Sequence, residues 1–430
     1  MKKSLIALAA LAAVSAASAQ SSVTLYGLVD IGYGTHNSTS RDGTVFTKSR
    51  GVMDGSNAGS RIGFRGTEDL GGGLKANFVV EQGISPTSTT VFSQRAAGPG
   101  HQIIGLGAGT GVTGSNGGGF STATNRQSYL GLSSSSLGTL NIGYTYTNAY
   151  ELGTLSGYMV GSEQVGGAAH IAGSSAAGNF VGGNRANGLT YISPNFGGGF
   201  VVRAQYGAGT GLESITANAN STNGLTTENL RRMSLMLQYA NGPLSVALAH
   251  TTARSLAVSG SANGNVGTTV NQFGVVVVNG NSGSTGVALT PAQLAAGVLT
   301  GQSRTGNLTQ LGASYDFGVA KLGATYNTGK SGGSATSTDN TTVRAYQVGV
   351  SVPFGAIVPY LMVGREVFKN QGTGVDAANV RTAQMGVRYS LSKRTTAYAM
   401  YGQEIDNAVV AAAGAGYKAT KTIVGVSHSF

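Results

Sequence analysis

The chain reads as all-β: a transmembrane antiparallel β-barrel of sixteen strands spanning residues 20–430, behind an export segment at residues 1–19. Three observations lead there. Hydropathy alternates with a period of two in stretch after stretch, as strands with one apolar and one polar face require. The connections alternate as well, a few residues and then many. The composition has 70 Gly, no Cys, 10% charged residues and a mean hydropathy of +0.04, a balance expected when lipid-facing and water-facing positions interleave.

The first element is not part of the sheet. Met1-Lys2-Lys3, the apolar run Leu5–Ala17 and the small residues Ala17-Ser18-Ala19 have the layout of a secretory signal cleaved before Gln20. The run is shorter than the ~20 residues a spanning helix needs. Cleavage would remove Lys2 and Lys3, and with them two of the eleven net positive charges. Without cysteine, an exported fold is held without disulfides and has neither a thiolate metal site nor a thiol nucleophile. The β-branched and aromatic content and the low charge density exclude a disordered chain.

Strands then follow in order. In the first, Val23, Leu25, Val29, Ile31 and Tyr33 share one face, and Thr24, Tyr26 and Asp30 share the other. Gly59–Glu68 comes next, and the Gly-rich turn Glu68–Leu74 leads into Leu74–Gln82 as a tight hairpin. Arg126–Ser133 and Thr139–Thr147 flank a turn at Ser134–Gly138; Asn187–Ser193 and Gly199–Gly207 flank Pro194–Gly198. Leu230–Ala240 and Leu244–Ala253 meet at Asn241-Gly-Pro243, and Thr305–Phe317 and Ala320–Thr328 meet at Gly318. Thr342–Val352 and Ile357–Lys369 join through Pro353-Phe-Gly355, and Val380–Leu391 and Thr395–Ile405 through Ser392-Lys-Arg394. Tyr417–Phe430 completes the set. The long connections are 35–57, 83–125, 148–186, 208–229, 254–304, 329–341, 370–379 and 406–416. Short turns on one rim and long polar loops on the other is the outer-membrane arrangement, with the short turns facing the periplasm. Val275–Val278, inside the fifth long loop, is half of an extra hairpin either above the barrel or within an eighteen-strand wall; the count of sixteen rests on the lack of a partner strand after it.

Closure follows from the solvent. In hydrocarbon an unpaired backbone group costs several kcal/mol, so a spanning sheet keeps no edge. Pairing Val23–Tyr33 with Tyr417–Phe430 removes both edges. Fourteen residues at ~3.3 Å, tilted by about 40°, reach roughly 35 Å, enough for the ~25 Å apolar band and its interfaces. The 18 Tyr and 13 Phe supply the aromatic girdles, since Trp is absent. A barrel of sixteen strands is too wide for side chains to fill and leaves a water-filled lumen.

Several stretches resemble one family. Ser22–Asp30, Ser60-Arg-Ile-Gly-Phe-Arg-Gly-Thr-Glu-Asp-Leu-Gly-Gly-Gly-Leu-Lys-Ala-Asn-Phe-Val-Val-Glu-Gln82, Asn125–Leu132, Tyr191–Phe196 and Gly425–Phe430 are similar to the Gram-negative general porins of the β-proteobacterial and neisserial type. The resemblance runs from the signal segment to the last residue and is interrupted mainly at the long loops. It implies a homotrimer of sixteen-stranded barrels, a third loop folded into each lumen, and passive diffusion of small hydrophilic solutes and ions. It also implies that Phe430 is an assembly signal read by the outer-membrane assembly machinery, and that outer-membrane lipid and lipopolysaccharide surround the barrel. Where the family often carries Gly-Arg-Gln after the fifth strand begins, this chain has Gly143-Tyr-Thr145, so one wall arginine of the family pattern is absent.

Alternation assigns Arg61, Arg65, Lys75, Arg203, Arg232, Lys321 and Arg388 to the lumen, with Glu81 and Asp30 as acidic counterparts. Arginine keeps its charge at any relevant pH, so a row of them is a permanent field across a pore and favours anions. Glu151 and Glu163 are the acidic groups of the inserted third loop. Enzymatic readings fail on spacing. His36, His101, His170, His250 and His428 are far apart and form no metal motif, and no Ser–His arrangement stands out near His250. Gly109-Thr-Gly-Val-Thr-Gly114 matches a dinucleotide pattern but opens no helix. No cofactor, metal or nucleic acid is implied. A substrate-specific porin and a surface adhesin using the long loops are the alternative functions.

Overall fold

The computed structural model describes residues 22–40, 43, 46–87, 125–155, 185–207, 231–259, 266–270, 276–280, 287–288, 300–332, 341–372, 374–407 and 416–430. Residues 1–19, expected from the sequence to direct export, lie outside them. The wall strands are β1 (Ser22–Ser40), β2 (Phe46–Asp54, resuming as Arg61–Gly71), β3 (Leu74–Gly83), β4 (Asn125–Ser134) and β5 (Gly138–Tyr146). After helix α1 (Asn148–Leu155) come β6 (Arg185–Ile192), β7 (Phe200–Gly207), β8 (Arg231–Asn241), β9 (Leu244–Ser259) and β10 (Thr300–Asp316). The wall ends with β11 (Lys321–Gly332), β12 (Thr341–Ser351), β13 (Ile357–Asn370), β14 (Asp376–Ser390), β15 (Thr395–Asp406) and β16 (Tyr417–Ser429).

Every strand pairs antiparallel with its sequence neighbours, and β1 pairs with β16 from Leu28↔Ser429 to Ser40↔Tyr417. The sheet is therefore a closed sixteen-stranded barrel. The two segments of β2 count once, because both lie along the same side of β1, Arg61–Thr67 against Ser22–Leu28 and Phe46–Asp54 against Ile31–Thr39. The ladder reaches the last residue: Phe430 N–H donates to the Gly27 carbonyl (3.1 Å) and Gly27 N–H returns the bond (3.2 Å). The Phe430 ring covers Gly27 so closely that a Cβ there has no room.

Alternation is legible in the burial pattern. On β8, Met233, Leu235 and Leu237 are exposed outward, whereas Arg232, Ser234, Met236 and Gln238 are buried on the inner face. β16 does the same, with Val424, Val426 and Phe430 outside and Ile423 and Ser427 inside. Outward rings form two girdles. Tyr191, Phe196, Tyr315, Phe317, Phe354 and Tyr389 lie near the short turns; Tyr33, Tyr206, Tyr326, Tyr346 and Tyr401 lie toward the long loops.

Two expectations about loops are corrected. The connection 35–57 is mostly ladder, since β1 runs to Ser40 and pairs with Phe46–Asp54. Beyond the lipid both faces of a hairpin meet water, so its polar residues lose the hydropathy period while the backbone pairing persists. The same holds for β9 and β10, which pair as far as Ser259↔Thr300. Val276–Gly280 does have a partner, and most of it precedes the valines: with Val266–Val270 and Val287–Ala288 it makes a three-stranded sheet that is separate from the wall. The barrel count stays at sixteen.

Candidate functional site: the lumen constriction

α1 follows β5 but packs against β8, β9 and β10, so the start of the third loop crosses the lumen. Its apolar side explains why. Leu152 is fully buried in a cluster with Met236, Ala247 and Ala249, and Ala149 belongs to a second buried cluster with Ala253 and Leu308 that continues to Val343 and Phe368. Most lumen-facing positions of a water-filled barrel are polar; these inward apolar residues make a dry strip on which a helix can dock. Polar contacts fix the helix start: Asn148 N–H donates to Gln205 Oε1 (2.7 Å), and Asn148 Nδ2 donates to the Arg203 carbonyl (3.2 Å).

The opposite side of α1 faces a recess of about 550 Å³. Arg61, Arg65 and Glu81 line it from the wall, and Tyr150 and Glu151 from the helix. Glu81 on β3 is the hub. It accepts from Arg126 Nε (2.5 Å) and from the Tyr26 hydroxyl (3.1 Å), and lies 3.8 Å from Arg61. Arg126 also donates to the Tyr146 hydroxyl (2.8 Å), over whose ring the Arg185 guanidinium sits at 4.7 Å. Glu151 pairs with Arg203 (3.5 Å). Arg65 stacks on Tyr26 at 5.2 Å, is exposed to the lumen, and has no ion-pair partner among the described residues. Arg61 and Arg65 line the recess with Glu81 and Glu151, and Arg126, Arg203 and Arg185 stand behind it against Glu81, Glu151 and Tyr146, so guanidiniums outnumber side-chain carboxylates in this network five to two.

The expected lumen residues divide. Arg61, Arg65, Glu81, Arg203 and Glu151 come together. Lys75 and Lys321 are on the inner face but stand at the short-turn ends of β3 and β11, away from the recess. Arg232 is inward and fully buried near the opposite end of β8. Arg388 is inward too, stacked on Tyr360 (4.5 Å) and donating to Asn57 Oδ1 (3.0 Å). Glu163 lies outside the described residues.

Asp30, read as a pore charge, is instead fully buried. Its Oδ2 accepts the backbone N–H groups of Asn57 and Ala58 (2.6 Å each), and its Oδ1 accepts the Tyr398 hydroxyl (2.5 Å). Those bonds pin the break in β2, residues 55–60, to the inner wall.

Arg126 was not among the lumen residues read from the sequence. Strict alternation from Gln127 turns it outward. The register shifts between Glu81, opposite Gln127, and Gln82, opposite Asn125, so Arg126 is an extra residue in a bulge and swings onto Glu81.

A family model described as Gram-negative porin matches residues 7–277 and 254–408. An outer membrane porin protein of Bordetella pertussis is 31% identical over 466 aligned positions, covering all of both chains. Among solved structures, the anion-selective porin from Comamonas acidovorans superposes with a TM-score of 0.61 at 23% identity, over 96% of this chain and all of that one. The trimer form of OmpT, an outer membrane protein of Vibrio cholerae, gives 0.56 at 15% identity, over 95% and 99%.

Proposed function

This chain belongs to the Gram-negative porin family and forms an outer-membrane channel for passive diffusion; we propose that the channel prefers anions. The excess of guanidinium over side-chain carboxylate in the network at the recess supports that reading. Glu81 and Glu151 are already committed to Arg126 and Arg203, whereas Arg65 is open to the lumen. A passing anion exchanges part of its hydration for that cation, and a passing cation meets an uncompensated positive field. The narrow, low-dielectric wall strengthens both effects relative to bulk water. Arg61, Arg65, Arg126 and Arg203 set selectivity, with Glu81 and Glu151 holding the arginines in place. Lys75, Lys321, Arg232 and Arg388 contribute long-range field only.

The assembly is a homotrimer set among outer-membrane lipid and lipopolysaccharide. Residues 1–19 serve for export, and Phe430 is the mark that the outer-membrane assembly machinery reads. Deleting Phe430 should lower trimer yield while leaving the conductance of assembled channels unchanged; normal yield would remove its signalling role.

The deciding experiment is single-channel recording in a planar bilayer under a KCl gradient. The expected result is steady, unsaturated conductance with a reversal potential of anion-selective sign. A cation-selective sign overturns the preference, and a saturable block by one solute class replaces general diffusion with a substrate-specific channel.

A further inference from the structure

Among the described residues, outward cations recur at the long-loop end of the wall, Arg231 opposite Arg254 for one, and they are densest on β11–β14. Toward the long loops, Arg344 on β12, Arg365 and Lys369 on β13, and Arg381 on β14 all point outward, and Lys330 on β11 adjoins them. Their inward sequence neighbours Val343, Ala345, Glu366, Phe368, Val380 and Thr382 are buried, so the strand period leaves these cations no other face. The register gathers them. Arg365 and Arg381 are direct cross-strand partners. Arg344 opposes Val367 and so lies diagonal to both Arg365 and Lys369; Lys330 and Lys369 both oppose Thr342. Tyr326, Tyr346, Arg365 and Arg381 form one row, which puts the cluster at the upper aromatic girdle and just above it.

Like charges directly opposite on adjacent strands are destabilising, and a lipid-facing arginine becomes tolerable only near the interface. Internal compensation is slight. Arg365 Nε donates to Asn379 Oδ1 (3.0 Å), a neutral partner. Asp376, opposite Lys369, is the one carboxylate at this patch among the described residues; it accepts from Asn379 Nδ2 (3.1 Å) and takes part in no ion pair among them. Five cations against one acid, arranged at headgroup height, call for an external anion.

We infer that Lys330, Arg344, Arg365, Lys369 and Arg381 form a binding site for the phosphate groups of the phosphorylated glycolipid of the outer leaflet. Guanidinium forks pair with phosphate oxygens bidentately, and the tyrosine row below supports the sugar–acyl boundary. This goes beyond the surrounding lipid proposed above by fixing where on the wall it is held, and it rests on the outer-membrane placement.

The test uses the full-length refolded protein in phosphatidylethanolamine nanodiscs doped with bisphosphorylated lipid A or with its phosphate-free form. Wild type should bind the phosphorylated lipid at least tenfold more tightly than the phosphate-free lipid, with affinity falling as salt rises. R365Q/R381Q should lose about tenfold, whereas K393Q, in a periplasmic turn, should lose nothing. Conductance should be unchanged in both variants, so a failure of the channel reading is seen separately. Equal affinity for the two lipids, insensitivity to salt in wild type, or a R365Q/R381Q protein that binds normally overturns the inference. So does a variant that loses its oligomeric state while each chain retains lipid affinity, since the patch is then a contact between copies. The salt series and the lipid comparison need no variant, and they decide the case if R365Q/R381Q fails to insert.

Discussion

The two walls that face each other across the lumen are built on opposite principles. On one side, β2–β4 present Arg61, Arg65, Glu81 and Arg126, and every contact is a charge or a hydrogen bond. On the other, β8–β13 present Met236, Ala247, Ala249, Leu308, Val343 and Phe368, and the contact is apolar. α1 joins them, with Leu152 and Ala149 toward the apolar side and Tyr150 and Glu151 toward the recess. The difference teaches a division of labour. On the proposed reading, the apolar wall governs the width of the channel by anchoring the obstruction, and the charged wall governs what passes.

Breaking the apolar contact should have the largest effect. Leu152→Asp buries a charge with no partner in a dry strip, at a cost of about 3 kcal/mol to the docked state. Single-channel conductance should rise as α1 leaves the wall while the ion preference weakens. An unchanged conductance means the helix is held by its polar start alone. Next comes Glu81→Gln, which takes the carboxylate from Arg126, Arg61 and Tyr26 at once and costs about 2 kcal/mol locally. The reversal potential should move further toward anions; movement the other way means the arginines were lost from the lumen with their anchor.

Arg65→Ser comes third. Since Arg65 is exposed and has no ion-pair partner among the described residues, its loss should shift the reversal potential toward cations without changing thermal stability. Arg61→Ser should shift it less, because Glu81 at 3.8 Å already compensates part of that charge. Lys75→Ser, at the short-turn end of β3, should move nothing beyond experimental error. A shift as large as that for Arg65 would place the narrow region nearer the periplasm than the recess lies.

The same contrast explains what could be read in the residues beforehand. The charged wall was largely legible, since Arg61, Arg65 and Glu81 obey the two-residue period. Arg126 escaped because one bulged residue resets that period locally. The apolar wall was not legible at all. Leu235-Met236-Leu237 is a run in which hydropathy cannot tell the inward methionine from its outward neighbours, and the partner that makes Met236 useful is Leu152, more than eighty positions earlier. The order of strands and the β1–β16 seam followed from alternation and from the intolerance of lipid for an edge. The hairpin at 35–57 did not, because water on both sides erases the alternation.

The Asp30 clamp reaches further than the pore. Tyr398 on β15 and Asp30 on β1 are 368 positions apart, and their bond steps over β16, the strand between them. The seam is thus cross-braced by a contact of nearly maximal sequence separation. Such contacts pay most of the loop-closure entropy before they return anything. Folding should therefore be slow at its last step, with fifteen strands able to zip locally while the ring stays open and its edges stay sticky. Asp30→Asn should lengthen that final phase more than it weakens the finished barrel, measured as the time course of heat-resistant electrophoretic mobility during refolding into lipid.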